Sequence, residues 1–212
     1  MKTENFIRAL VTDQPARADS IERRCAMALL PALALAAVLF ALSLGPRPDI
    51  AIVATDPRFV FKFVVMLTLT ATAWMLVCRL ARPGAGTGLL ALALAAGPIL
   101  LGLGVLVELV SVPSSSWSAK LVGTNARICL TFIPTFAAPL LLAALIALRH
   151  GASTRPALTG AVAGLLAGGL GAALYAAHCT DDSPLFVATW YTLAIAGVAI
   201  VGYLAGARLL RW

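Results

Sequence analysis

Six long apolar stretches dominate this sequence, and their length limits the possible folds more than any other feature. They cover residues 26–44, 59–77, 88–110, 129–148, 157–177 and 185–207, and short breaks rich in turn-forming residues separate them. A helix needs about 20 apolar residues to cross the hydrocarbon core of a bilayer. The stretches are continuously apolar and do not alternate as the strands of a membrane barrel do. The sequence therefore predicts an all-α polytopic membrane protein, in which residues 25–212 form a bundle of six transmembrane helices.

Composition and charge agree with a membrane protein and indicate its orientation. The chain is 61% hydrophobic and carries a formal net charge of +7, which in a soluble protein would suggest nucleic-acid binding. In a membrane protein, the enrichment of Lys and Arg in cytoplasmic segments explains this charge better, so we expect no direct binding to nucleic acid. With both termini in the cytoplasm, eleven of the 16 Lys and Arg residues are cytoplasmic and five are outside. We therefore predict a cytoplasmic N-terminus and a cytoplasmic C-terminus.

Residues 1–24 form the only sizeable polar segment, and we predict a cytoplasmic tail with a short amphipathic helix. Thr3 is a suitable N-cap for this helix, and Pro15 ends it. Four apolar side chains share one face of the helix: Phe6, Ile7, Leu10 and Val11. Such a face binds either a groove on a partner protein or the inner leaflet of the membrane. The small number of basic residues favours the partner protein.

A polar island, residues 178–191 (HCTDDSPLFVATWY), separates the last two apolar stretches on the predicted outer face. One imidazole, one thiol and two carboxylates open it: His178, Cys179, Asp181 and Asp182. Cys129 opens the fourth stretch at the same membrane level, whereas Cys25 and Cys78 lie at the cytoplasmic ends of their stretches.

Three roles are open for Cys129 and Cys179. The two thiols could form a disulfide, bind a soft metal ion together with His178, or serve as small buried side chains. Their spacing does not match a zinc-finger pattern, so we predict no permanent metal site. If the thiols are exposed, the like charges of Asp181 and Asp182 disfavour their ionisation.

Glycines repeat at a regular interval in the last two stretches. Gly160, Gly164 and Gly168 recur every four residues in the fifth stretch, and Gly202 and Gly206 repeat the spacing in the sixth. Small residues at this interval let helix backbones approach closely inside a membrane. The pattern favours direct contact between helices.

Two charged residues lie close to the predicted hydrocarbon region, both near its outer boundary. Lys62 and Glu108 either pair with each other, or Lys62 extends its amine to the lipid headgroups. The amphipathic aromatics Trp117, Trp190 and Tyr191 are most simply interfacial belt residues.

The six stretches, the tail MKTENFIRAL, Lys62, Cys129 and the polar island together resemble the NrsF-type membrane anti-sigma factors of proteobacteria. The resemblance covers the whole chain, and the polar island is its most specific part. It implies that the tail sequesters an extracytoplasmic-function sigma factor at the bacterial inner membrane. It also implies that Cys129 and Cys179 sense oxidative or heavy-metal stress from the outer side and trigger release. We expect no catalytic residue and no cofactor.

Two other functions stay open on the residues alone. A membrane thiol oxidoreductase would transfer electrons through Cys129 and Cys179, but the chain lacks the C-x-x-C pair that such chemistry commonly uses. A metal transporter would need polar ligands near the middle of the membrane, and no apolar stretch carries a charge there. A regulatory binding protein is therefore the first hypothesis.

Overall fold

The structure is a computed structural model that describes Thr3, Glu4 and residues 20–211. The predicted anchor residues of the tail, Phe6, Ile7, Leu10 and Val11, lie outside the described residues. Within the described residues the chain is helical and contains no strand, which confirms the all-α prediction.

Six helices are long and apolar enough to cross a membrane, as predicted. They are α1 (Ile21–Ser43), α2 (Pro57–Leu80), α3 (Gly88–Ser111), α4 (Ala126–Leu148), α5 (Pro156–Ala176) and α6 (Pro184–Leu209). α3 consists of two helical segments, Gly88–Ala93 and Ala96–Ser111. Short helices at Ile50–Val53 and Trp117–Val122 belong to the connections between these long helices.

Side-chain caps and prolines fix where several of these helices begin. Ser20, Asp56 and Ser183 each accept a hydrogen bond from a backbone N–H in the first turn of α1, α2 and α6. Such caps satisfy amide donors that have no partner inside the helix. Proline occupies the first position of α2, α5 and α6, where its missing N–H costs nothing. The starts therefore fall up to five residues before those predicted from apolarity alone.

α5 occupies the centre of the bundle. It packs against α2, α4 and α6, while α1 packs mainly against α4. α3 lies at the edge, where it contacts mainly α2 and buries only a small share of its residues. The central position of α5 places its last residues, and the polar island that follows them, where several helices converge.

The glycine repeat brings the backbones of α5 and α6 together, as predicted. A Cβ atom on Gly160 would lie 2.1 Å from the carbonyl oxygen of Gly202 and 2.7 Å from Cα of Gly206. A Cβ atom on Gly164 would lie 2.6 Å from Cα of Ala199. These distances are too short for any side chain, so glycine is required for this contact.

The two ends of the bundle differ in chemistry. We call the end that holds the connections 44–56, 112–125 and 177–183 the island end, and the end that holds Ser20 and the connections 81–87 and 149–155 the terminal end. At the terminal end, Cys25 and Cys78 are buried in one core cluster, and Arg82 pairs with Glu22. The polar residues predicted to carry the function lie at the island end.

Candidate functional site

The structure brings Cys129 and Cys179 together at the island end. Cys129 lies in the first turn of α4, and Cys179 lies in the connection between α5 and α6, which we call the Cys179 loop (residues 177–183). Both side chains are 0% exposed and belong to one hydrophobic cluster. The thiols are near enough to interact electrostatically, yet both are free cysteines, so the described residues contain no disulfide between them. The two thiols are therefore buried, and the case of exposed thiols does not apply to this fold.

Two tyrosines complete the surroundings of the thiols. The rings of Tyr175 and Tyr191 are 5.6 Å apart, and both side chains are fully buried. The hydroxyl group of Tyr191 faces Cys179 but makes no hydrogen bond of good geometry within the described part of the chain. Tyr191 ends a π-helical turn, Val187–Tyr191, of a kind often found at functional sites. The interfacial-belt prediction is therefore wrong for Tyr191, because the π-helical turn directs its ring inward.

Burial controls the protonation of the Cys179 thiol. Removal from water raises the pKa of Cys179, since a thiolate is poorly solvated there. The positive charge of Lys62 opposes this effect, and the negative charge of Asp181 adds to it only weakly. The predicted like-charge effect is thus present for Asp181 but smaller than that of burial. While it is buried in this way, the Cys179 thiol stays protonated and is a poor nucleophile.

Asp182 joins the Cys179 loop to two buried cations. Lys62, on α2, is 0% exposed and donates to the Asp182 carboxylate and, over 2.7 Å, to the carbonyl oxygen of Cys179. Arg47 donates to the other Asp182 oxygen over 2.8 Å and pairs with Asp49 through two further hydrogen bonds. Bonds of this kind between ionised groups are stronger than neutral ones. Both predictions for Lys62, a pair with Glu108 and an amine at the headgroups, are wrong because the loop supplies closer partners.

Asp181 caps the N-terminus of α4 from a distant part of the chain. One of its carboxylate oxygens accepts hydrogen bonds from the backbone N–H groups of Thr124 and Asn125, at 3.0 and 2.9 Å. The side chain of Asn125 donates to the same oxygen and to the hydroxyl of Thr180. A carboxylate suits a helix N-terminus, where the helix dipole is positive. Asp181 therefore holds the two residues that lead into α4, whose first turn carries Cys129.

Glu108 forms a second charged group beside the loop. It is 3% exposed and pairs with Arg58 at 2.8 Å and with Lys120 at 3.3 Å. The hydroxyl of Ser183 donates to it over 3.3 Å. Glu108 thereby connects α3 to the end of the Cys179 loop.

His178 is bound to the connection between α1 and α2. Its Nδ1 donates to the carbonyl oxygen of Gly45 over 3.0 Å, and the backbone N–H of Arg47 donates to the carbonyl oxygen of Ala177. Among the described residues, no three His, Cys, Asp or Glu side chains are placed to hold a metal ion. His178 therefore holds the Cys179 loop against the connection between α1 and α2.

A polar cleft of about 640 Å³ lies on the outside of the Cys179 loop. Thr180, Asp181, Asp182 and Ser183 line it from the loop, and Arg58 and Lys120 line it from the other side. Neither cysteine lines the cleft, because the loop separates it from both thiols.

Three residues of the site were not found from the sequence. Arg47 lies in the break between the first two apolar stretches, Tyr175 lies inside the fifth stretch, and Tyr191 was predicted to be a belt residue. The contact between Arg47 and Asp182 joins positions 135 residues apart, and no local pattern announces such a pair. A cation in a turn next to an apolar stretch needs a carboxylate partner, and this is the signal in the sequence that could have indicated Arg47.

The fold and the site define a polytopic membrane protein. It has two buried thiols at one end, beneath a loop that charged residues hold in place. The family model described as "Negative regulator of sigma F" (NrsF) matches residues 10–212, and the chain belongs to this family. This confirms the family resemblance drawn from the sequence.

Two relatives are similar to the chain over their full lengths. The "Probable anti-sigma-F factor NrsF" of Azospira oryzae is 34% identical over 215 residues, with 100% of each chain covered. The "Anti-sigma-F factor NrsF" of Caulobacter vibrioides is 33% identical over 218 residues, also with 100% of each chain covered. No solved structure matches the chain.

Proposed function

We propose that this protein is a membrane-bound anti-sigma factor of the bacterial inner membrane, with both termini in the cytoplasm. It captures an extracytoplasmic-function sigma factor through its N-terminal tail and releases it when Cys129 and Cys179 are modified from the outer side. Membership of the NrsF family carries this proposal, together with full-length relatives whose names describe anti-sigma-F factors. The role is regulatory rather than enzymatic.

The division of the chain into two parts supports capture by the tail. Residues 1–24 form the cytoplasmic tail, and residues 25–212 form the membrane domain. The described chain enters α1 at Ser20, at the terminal end, so the tail joins the bundle at the end opposite to the thiols. Phe6, Ile7, Leu10 and Val11 are the anchors that dock into an apolar groove of the sigma factor.

The thiols support two kinds of signal. A peroxide takes two electrons and two protons from Cys129 and Cys179, which join in a disulfide while the peroxide becomes two water molecules. A soft divalent cation instead displaces one proton from each thiol and binds both sulfurs. His178, Asp181 and Asp182 support either reaction after the loop has opened. Neither reagent reaches the sulfurs without movement of the loop, because both sulfurs are fully buried.

Capture of the sigma factor is tested with tail variants. Leu10→Asp and Phe6→Asp place a charge in the apolar contact, so co-purification of the sigma factor with the membrane protein should fall at least about tenfold. Asn5→Asp is the matched control, since it adds a charge on the opposite helix face and should preserve capture. Full capture by the double variant Phe6→Asp, Leu10→Asp would contradict the assignment of the anchors.

Release is tested in the same cells with cysteine variants. Cys129→Ser and Cys179→Ser should each retain capture but lose the release caused by cadmium or peroxide, because one remaining thiol cannot complete the pair. Cys25→Ser and Cys78→Ser are the controls and should respond normally. Mass spectrometry of unstressed protein should find Cys129 and Cys179 reduced. A stable disulfide in unstressed cells, with misfolded serine variants, would make the pair a structural staple and end the sensing proposal.

A further inference from the structure

Lys62 is a lysine with no exposed surface in a helix that crosses the membrane region. It lies in the second turn of α2, and its amine approaches the ring of Phe59 to 4.9 Å from the centroid. A buried ammonium group is costly unless it is paired, and such residues in membrane helices mark functional positions. The family assignment and the thiols do not explain why this charge is needed.

We propose that Lys62 is a positioning residue that holds the Cys179 loop closed and so sets how readily a reagent reaches Cys129 and Cys179. This inference rests on the proposed function, because it assigns a regulatory role to access at the proposed sensing thiols. Lys62 takes no part in the thiol chemistry itself.

The location of the groups that Lys62 binds supports this role. Its two polar contacts are with the Cys179 carbonyl oxygen and the Asp182 carboxylate, both in the Cys179 loop. Arg47 also binds Asp182 and, over 3.4 Å, the Cys179 carbonyl oxygen, but it retains Asp49 as a further partner through two hydrogen bonds. Opening of the loop therefore leaves Lys62, rather than Arg47, as the buried charge without a hydrogen-bonded carboxylate. A buried charge in that state is strongly unfavourable, so Lys62 stabilises the closed loop.

The position of the loop makes its closure decisive for reactivity. Thr180, Asp181, Asp182 and Ser183 form one wall of the polar cleft, and the Cys179 thiol lies behind that wall. A reagent in the cleft reaches the sulfur only when the wall lifts, which requires the Lys62 contacts to break.

One movement of the loop affects both thiols. Asp181 belongs to the same loop and binds the backbone N–H groups of Thr124 and Asn125, which lead into α4. Lifting the loop withdraws that acceptor and loosens the entry to α4, one turn before Cys129. Release of Lys62 from Asp182 therefore exposes the two sulfurs as a pair rather than one at a time.

The test measures alkylation of the four cysteines by N-ethylmaleimide in purified full-length protein in lipid nanodiscs, resolved by peptide mass spectrometry. Lys62→Met and Asp182→Asn should each raise the alkylation rates of Cys179 and Cys129 at least about tenfold, the effect expected from losing one charge-assisted hydrogen bond. Cys25 and Cys78 should keep their wild-type rates, since they lie in the core at the terminal end. Lys62→Arg keeps the charge and should preserve most of the protection.

Arg127→Gln is the matched control, because Arg127 is an exposed cation of the island end whose side chain forms no hydrogen bond or ion pair with the described residues. It should leave all four rates unchanged. If the Lys62→Met variant does not insert into the membrane, Asp182→Asn decides the result. The Asp182 side chain is 18% exposed, and the change to Asn preserves its shape.

Two results would overturn the positioning role: unchanged rates at Cys179 and Cys129, or an equal rise at all four cysteines, which would mean general loosening. The assay contains no sigma factor, so its outcome is separate from the proposed function. If Cys179→Ser abolishes release in cells while Lys62→Met keeps wild-type alkylation, the positioning role fails and the proposed function stands. If alkylation accelerates but the serine variants still respond to stress, the proposed function fails instead.

Discussion

Asp181 and Asp182 are neighbours in the chain, yet their carboxylates bind different elements. Asp181 accepts backbone N–H groups at the start of α4, whereas Asp182 binds the cations Lys62 and Arg47. The two residues therefore hold the same loop to opposite sides of the bundle. An amide side chain at either position would keep the shape but lose the charge that these contacts use.

The cap formed by Asp181 has a measurable value. Asp181→Ala leaves the backbone N–H groups of Thr124 and Asn125 without this acceptor and should lower the free energy of unfolding by about 1 kcal/mol, as lost N-caps do. Thermal unfolding in detergent checks this value. Thr180→Ala is the neighbouring control and should change stability by less than about 0.5 kcal/mol, since Thr180 is exposed and its hydroxyl accepts a single hydrogen bond, from the Asn125 side chain. Equal losses in the two variants would contradict the capping role.

The contacts that the polar residues of the island end make were not predictable from the sequence. The sequence indicated Cys129, Cys179, Asp181 and Asp182 because thiols and carboxylates are rare in so apolar a chain. It did not indicate that Asp182 meets Lys62, since 120 residues separate them. Burial of the thiols also depends on tertiary packing, which a local polar pattern does not reveal.

At the scale of helices, the contact between α5 and α6 is the closest in the bundle. Gly160, Gly164, Gly202 and Gly206 form it without side chains, so the two backbones touch. A contact of this kind positions the Cys179 loop, because the loop joins the same two helices. Rigid packing below the loop lets the charged contacts above it decide whether it opens.

A matched pair of glycine variants tests this contact. Gly160→Ala would place a methyl group 2.1 Å from the Gly202 carbonyl oxygen and should lower the free energy of unfolding by about 1–3 kcal/mol, as overpacking does. Gly197→Ala, in the same helix as Gly202, meets nothing within 4 Å and should be neutral or slightly stabilising. Thermal unfolding in one detergent compares them. If Gly160→Ala is as stable as Gly197→Ala, the close contact is wrong.

The long helices were predictable because membrane length and apolarity leave few alternatives. Their local irregularities were not. The division of α3 after Ala93 and the π-helical turn at Val187–Tyr191 both lie inside continuous apolar sequence. Hydropathy is insensitive to such changes of helical register, and the second one directs Tyr191 into the thiol cluster.

At the scale of the whole molecule, the two ends differ in how their positive charges are compensated. At the island end, Arg47, Arg58, Lys62 and Lys120 are paired with three carboxylates: Asp49, Glu108 and Asp182. At the terminal end, the paired cation Arg82 is joined by Arg79, Arg149, Arg155 and Arg208 from the helix ends and connections. Among the described residues other than Arg23, the side with more Lys and Arg residues is also the side where fewer of them form ion pairs.

This asymmetry predicts the orientation, because flanking cations resist translocation across the membrane. Alkaline phosphatase, which is active only outside the cytoplasm, should be inactive when fused after Trp212 and active when inserted at Ser115, in the exposed turn of the island end. Insertion after Gly86, at the terminal end, is the control and should also be inactive. Green fluorescent protein should give the reverse pattern. Phosphatase activity at Trp212 would place Cys129 and Cys179 on the cytoplasmic side, where a reducing environment keeps thiols from disulfide formation, and would exclude sensing from outside.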